Sequence, residues 1–222
     1  MKKMNKHEKE FWDQYKRWYL DDIERCFKSS ANFATMTLIL TTIDSLGGFY
    51  NGLIKTKITK IYKCSSCEVI KKIKKKKWLV PLGGKRLKLA KEIYNIKGHS
   101  YEVSGNRDVF VNFIKNYMNN FYQKVLQGTK EKRAVEILYS HFRNGFVHEG
   151  GPKFGTGIYK SDSSELFKPY PKIGIFMAIN LTSFYKYFKN AFADYENDLF
   201  DIKQPERLDR WRVRMNYLLG FK

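Results

Sequence analysis

Cysteine is scarce, at three in 222 residues, and an odd, small number is no disulfide framework, so the small cross-linked scaffolds are excluded. Proline is rarer than usual, at five, which rules out proline-rich or collagen-like chains. Long apolar runs are missing. The longest charge-free stretches, 29–43 and 173–185, are about 15 and 13 residues and are diluted with Ser, Thr, Asn or Gly. A bilayer span takes about 20 mostly apolar residues, so no membrane association is expected. Residues 1–20 are basic but hold no apolar core before a small-residue cleavage site, and a cytoplasmic location is expected. Acidic residues are also few: 22 Asp and Glu face 42 Lys and Arg, a formal net charge of +20. Arginine supplies only ten of those cations. Lysine, Asn, Ile and Tyr together are what an A/T-rich genome writes into most of its proteins, which weakens charge as a clue.

What is present is enough to fold. At 43% hydrophobic and 16% aromatic the chain can bury a core, and its length fits one domain, residues 1–222. The basic excess points to a polyanion partner. Over 8–28 the apolar residues Phe11, Trp12, Tyr15, Trp18, Tyr19, Ile23, Cys26 and Phe27 recur every three or four positions, an amphipathic helix. Residues 32–46 read as a helix apolar nearly all round, therefore central, and stopped by Gly47-Gly48 as a left-handed cap. Ile54, Ile58 and Ile61 predict a short helix over 52–62. Residues 63–104 lose periodicity and read as a lysine-rich surface insertion, with one helix at 86–96. Helical spacing returns at 107–122 and from about 129 to Gly150-Gly151-Pro152. Residues 152–179 form a loop whose β-leaning runs, 156–159 and 172–178, predict a small hairpin. Asn180 is a candidate N-cap for the last major helix, and a basic helix from Pro205 closes the chain. The sum is a mostly α protein of five or six helices with a minor β element, a helix bundle.

Four constellations carry chemistry. Lys71, Lys72, Lys74, Lys75, Lys76 and Lys77 make six lysines in seven residues, a candidate RNA-backbone grip; the competing reading is a solvated loop inflated by codon bias. Cys64 and Cys67 are a lone CxxC, with His99 and Cys26 as loose helpers only, so incidental cysteines are favoured over zinc or redox chemistry, and no metal or cofactor is expected. Asp44 sits inside the apolar helix, where a carboxylate is either functional or bonded to backbone amides or a basic side chain. The fourth is LYSHFRNGFVHEGG, 138–151, which places Arg143, Asn144 and His148 within six residues. Histidine moves protons near neutral pH, arginine offers a positive fork to a phosphorane, and Asn holds a phosphate oxygen or orients the histidine. Five residues on a straight helix is about 140° of rotation, so Arg143 and His148 converge only if the helix breaks, as Gly145 allows, or if a second subunit completes the site. His141 is a lesser candidate. The competing reading pairs Arg143 with a carboxylate such as Glu149 and leaves His148 as a helix-terminal cation.

The stretch R-N-G-F-V-H at 143–148 resembles the R-x(4-6)-H signature of HEPN domains, in which a polar residue, often Asn, follows the arginine. The lead-in EILYSHF (136–142), the continuation VHEGG and the upstream IDSLGGFYNG (43–52) are similar to bacterial HEPN-like proteins. The likeness covers 8–62 and 107–195 and leaves the lysine-rich insertion unexplained. It implies an up-and-down helical bundle that dimerises and brings two such motifs into one basic cleft. It further implies a metal-independent endoribonuclease of a toxin–antitoxin or antiviral defence system, with an antitoxin or defence protein as partner. His148 would be the acid/base in 2'-OH attack, Arg143 would stabilise the phosphorane, and Asn144 would position the phosphate or the histidine. Other members only bind RNA or nucleotides, which leaves a non-catalytic binding module or regulatory partner as the alternative. A tyrosine two residues after the histidine, modified in some members, is here Gly150.

Overall fold

The computed structural model describes residues 4–52, 54–63, 70–81, 93–96, 99–103, 106–124, 133–201 and 203–220, with the backbone alone for the strands between 54 and 103. The described chain is mostly helical, with nine α-helical segments, a four-stranded sheet and a small three-stranded sheet.

Helix α1 (Lys6–Lys16) begins at a capping box. Asn5 Oδ1 accepts from the Glu8 N–H at 2.9 Å and Glu8 Oε2 accepts from the Asn5 N–H at 2.8 Å. A π turn over Arg17–Asp21 joins it to α2 (Asp22–Lys28). Helix α3 (Asn32–Asn51) runs through the middle of the molecule and packs on α2 and later elements, as its all-round apolar pattern predicts. Its end differs from expectation. The helix passes straight through Gly47 and Gly48 and stops at Gly52, whose φ of 63° makes the left-handed cap. The two earlier glycines serve close packing: a Cβ on Gly47 would lie 2.7 Å from the Val109 carbonyl oxygen, and one on Gly48 3.2 Å from Arg214 Nε.

Residues expected to be helical over 52–62 instead form strand β1 (Ile54–Lys63). Five β-branched residues and Tyr62 favour an extended backbone over the helix that the Ile spacing suggested. The lysine run, expected in an irregular insertion, lies in β2 (Ile70–Pro81), antiparallel to β1 from Ile54 opposite Leu79 to Lys63 opposite Ile70. Strands β3 (Ile93–Ile96) and β4 (His99–Val103) pair with each other, and β4 pairs with β2. Of the helix expected at 86–96, the last four residues are strand and 86–92 lie outside the described residues, as do Cys64 and Cys67.

Helix α4 (Asn106–Tyr117) and the short α5 (Asn119–Tyr122) divide the single helix expected over 107–122, the break falling at Met118. A continuous helical run then comprises α6 (Ala134–Ile137), a π turn over Leu138–Arg143, and α7 (Asn144–Glu149), ending at Gly150 with φ 76°. Strands β5 (Thr156–Tyr159), β6 (Phe167–Tyr170) and β7 (Ile175–Asn180) form the three-stranded sheet in the order β5-β7-β6. The two β-leaning runs seen in the sequence are therefore neighbours but not a hairpin. β5 and β7 pair in parallel, and the antiparallel partner is β6, a segment with no strong strand signal of its own. Asn180 caps α8 (Leu181–Phe200) by accepting from the Thr182 N–H at 3.2 Å, and α9 (Pro205–Leu218) closes the chain with proline in its first turn.

The core is aromatic. Trp12, Phe49, Phe113, Phe188, Tyr195 and Trp211 are fully buried, joining α1, α3, α4, α8 and α9. Their rings meet in stacked and edge-to-face pairs such as Trp12–Phe192 at 5.5 Å and Phe49–Trp211 at 6.0 Å. Among the described residues no helix is long and apolar enough to cross a membrane.

Candidate functional site

The site is built where the α6–α7 run crosses α3. Arg143 ends the π turn and faces Asp44 across the crossing. Its Nε donates to Asp44 Oδ2 at 2.6 Å, with both side chains largely covered, at 13% and 22% exposure. Nη1 donates to Asn144 Oδ1 at 3.1 Å, and the guanidinium lies 5.5 Å from the Tyr139 ring centre. Of five N–H donors, three are left without a hydrogen bond among the described residues. Burial pushes the Asp44 carboxyl above its ordinary range, and the charge and hydrogen bond of Arg143 oppose that shift without cancelling it. Burial likewise raises the Tyr139 phenol against the pull of Arg143.

The partner of Arg143 is thus Asp44, 99 residues away, and not Glu149, which pairs with Lys153 at 3.1 Å. Of the roles open to Asp44, the structure selects the bond to a basic side chain. Its position inside an apolar helix was the signal; its partner was not legible, because nothing local ties residue 44 to residue 143.

His148 sits in the last turn of α7, exposed, before the Gly150 cap. Arg143 and Asn144 both have right-handed helical backbone and α7 runs on through Glu149, so the helix does not break between Arg143 and His148, and of the two routes to convergence the one through Gly145 is not taken. Gly145 has another purpose. A Cβ there would fall 2.4 Å from the Gly151 oxygen and 3.0 Å from the Lys153 N, so its absence lets the loop after α7 fold back on the helix. With α geometry unbroken, the Arg143 and His148 side chains leave the axis about 140° apart. The site residues share one helix and not one face.

His141 lies in the π turn and holds the returning loop: its carbonyl accepts from the Lys153 N–H at 3.1 Å, its Nδ1 is 2.8 Å from Ser140 Oγ, and its ring meets Phe176 edge-on at 5.7 Å. Sequence reading missed Tyr139 beside Arg143 and the π turn that presents them. Such turns are frequent at functional sites, but no composition marks them. The lysines at 71, 72, 74, 75, 76 and 77 have their backbone in β2, and their side chains lie outside the described structure. Among the described residues no group of three or more His, Cys, Asp or Glu is placed to hold a metal ion. Comparison with protein-family models, with curated proteins and with solved structures finds no match to this chain.

Proposed function

We propose that the chain is a metal-independent endoribonuclease of HEPN type, cleaving single-stranded RNA as a homodimer in a defence or toxin–antitoxin setting. The observation that carries this reading is the held arginine. Asp44 takes Arg143 by Nε alone, Asn144 takes one Nη1 proton, and the rest of the fork is left to an anion. His148 supplies the chemistry from the exposed last turn of the same helix. As base it takes the proton of the ribose 2'-OH; the 2'-oxygen attacks phosphorus, the 5'-oxygen leaves and is protonated, and a 2',3'-cyclic phosphate remains. Arg143 stabilises the charge that develops on the phosphorane oxygens, and Asn144 orients the phosphate. The 140° between Arg143 and His148 supports a site completed across two copies, the arginine of one meeting the histidine of the other.

Cleavage of single-stranded RNA in EDTA by purified protein, and its loss in His148→Ala, tests the proposal. Equal behaviour of wild type and variant would remove His148 from the chemistry. The second reading, a non-catalytic RNA- or nucleotide-binding module, is favoured by the same divergence of the two side chains if no second copy closes the site. It expects salt-sensitive RNA binding that survives His148→Ala, with no cleavage of any RNA.

A further inference from the structure

Phe154 leaves 94% of its surface in water, the most of any large apolar side chain described. It is not alone. Ile173 is 70% exposed, Phe33 57% and Phe176 38%. Phe33 and Phe176 attach to the run that carries Arg143 and His148, Phe154 lies in the loop that folds back on that run, and Ile173 lies two residues before β7. Phe33 meets Phe146 of α7 edge-to-face at 5.6 Å. The Lys153 N–H bonds the His141 carbonyl, and the Phe176 N–H donates to the Gly155 carbonyl at 2.9 Å. Phe176 lies so close over Gly155 that a Cβ there would be 2.5 Å from its ring. The backbone on both sides of Phe154 is therefore held, and the ring is presented on a fixed loop.

The charges around these groups select the partner. Lys153, paired with Glu149, precedes Phe154 and Lys172 precedes Ile173, and residues 149–176 hold four lysines against Glu149, Asp162 and Glu165. A protein partner is met by a continuous apolar centre depleted of lysine. Separate rings interleaved with lysines suit single-stranded nucleic acid, whose unpaired bases stack on aromatic faces while phosphates meet the cations. We infer that Phe154, with Phe176 beside it, is a stacking platform for an unpaired base of RNA bound alongside Arg143 and His148. This rests on the RNA reading above and adds to it the residue that would hold an unpaired base beside the site.

The test uses the full chain carrying His148→Ala, so that bound RNA is not cut, and a single-stranded RNA of about twelve nucleotides with 2-aminopurine at successive positions. Phe154→Ala should weaken binding about tenfold and abolish quenching of one 2-aminopurine, Phe154→Trp should restore both, and the fully paired duplex should bind all three alike. Because Phe154 is exposed, the thermal midpoint should not move. Unchanged affinity and quenching in Phe154→Ala, or no single-strand binding by the parent, would overturn the platform. So would a shift in sedimentation from dimer to monomer with quenching intact, which would make the face a contact between copies. Cleavage by the wild-type chain is scored separately: loss of stacking in a protein that never cuts RNA would sink the nuclease and leave the platform standing.

Discussion

Two arginine–carboxylate pairs stand at opposite ends of the chemistry of this molecule. Glu8 and Arg212 tie α1 to α9. The pair is bidentate, Nε to Oε1 at 2.6 Å and Nη2 to Oε2 at 3.0 Å, and Glu8 closes the capping box as well. Burial works against the Glu8 charge, yet the Arg212 hydrogen bond and the Asn5 N–H outweigh it, and the carboxyl titrates below its ordinary range. Asp44 and Arg143 make a single end-on bond, and there burial wins: the carboxyl titrates above its ordinary range. The same two chemical groups are satisfied in one place and held at a cost in the other. Paired groups that a fold keeps under tension are where function is to be looked for, whereas fully answered pairs hold elements together.

The contrast is sharpened first at His148. His148→Ala should lower RNA cleavage by 10²–10⁴ while leaving the unfolding midpoint unchanged, since the side chain is exposed. Glu8→Ala should do the reverse, costing about 3 kcal/mol by leaving Arg212 without its bidentate partner, and lowering Tm by roughly 6–12 °C in thermal unfolding, with cleavage at low temperature intact.

Asp44→Asn gives the pH signature. Glu8 has a depressed carboxyl, so its stabilisation is present above the unfolded value and is lost as pH falls through the folded one. Asp44 is raised, so its ionised form weakens the fold at neutral pH and the penalty is relieved as pH falls toward the unfolded value. Denaturant unfolding from pH 7 to pH 4 should therefore show the wild-type advantage over Glu8→Gln shrinking. Over the same range wild type should gain on Asp44→Asn. The same sign for both would erase the distinction drawn between the pairs. In the cleavage assay Asp44→Asn should cost about tenfold in kcat with KM little changed, because it loosens the orientation of Arg143 and leaves its charge.

The smallest effect is expected from the lysine run. Replacing the lysines of 71–77 with Gln should weaken RNA binding and flatten its salt dependence without moving the cleavage position. A loss of kcat at saturating RNA would place these lysines in the site.

How far the chain could be read without its fold is visible in single residues. Asn180 and Gly150 act through hydrogen bonds and dihedrals within one helical turn, and both boundaries were legible. The same preference misled at Gly47-Gly48, where small size answers Val109 and Arg214, residues far along the chain. Ile54, Ile58 and Ile61 satisfy helical spacing, yet β-branching and a partner strand decided for an extended backbone. The Arg143-Asn144-x3-His148 motif was readable as residues, but its acidic partner and the absence of a break at Gly145 were not.

The sequence alone determined the mostly helical class, the central place of α3, the end of the motif helix and the candidate residues on which the proposed chemistry is built. These rest on periodicity, caps and functional groups, which are local. Tertiary structure decided that Asp44 holds Arg143, that β5 and β7 run parallel, and that Arg143 and His148 leave one unbroken helix on different sides. Each of these depends on what the packed chain brings opposite a residue, and burial sets the energy of that meeting.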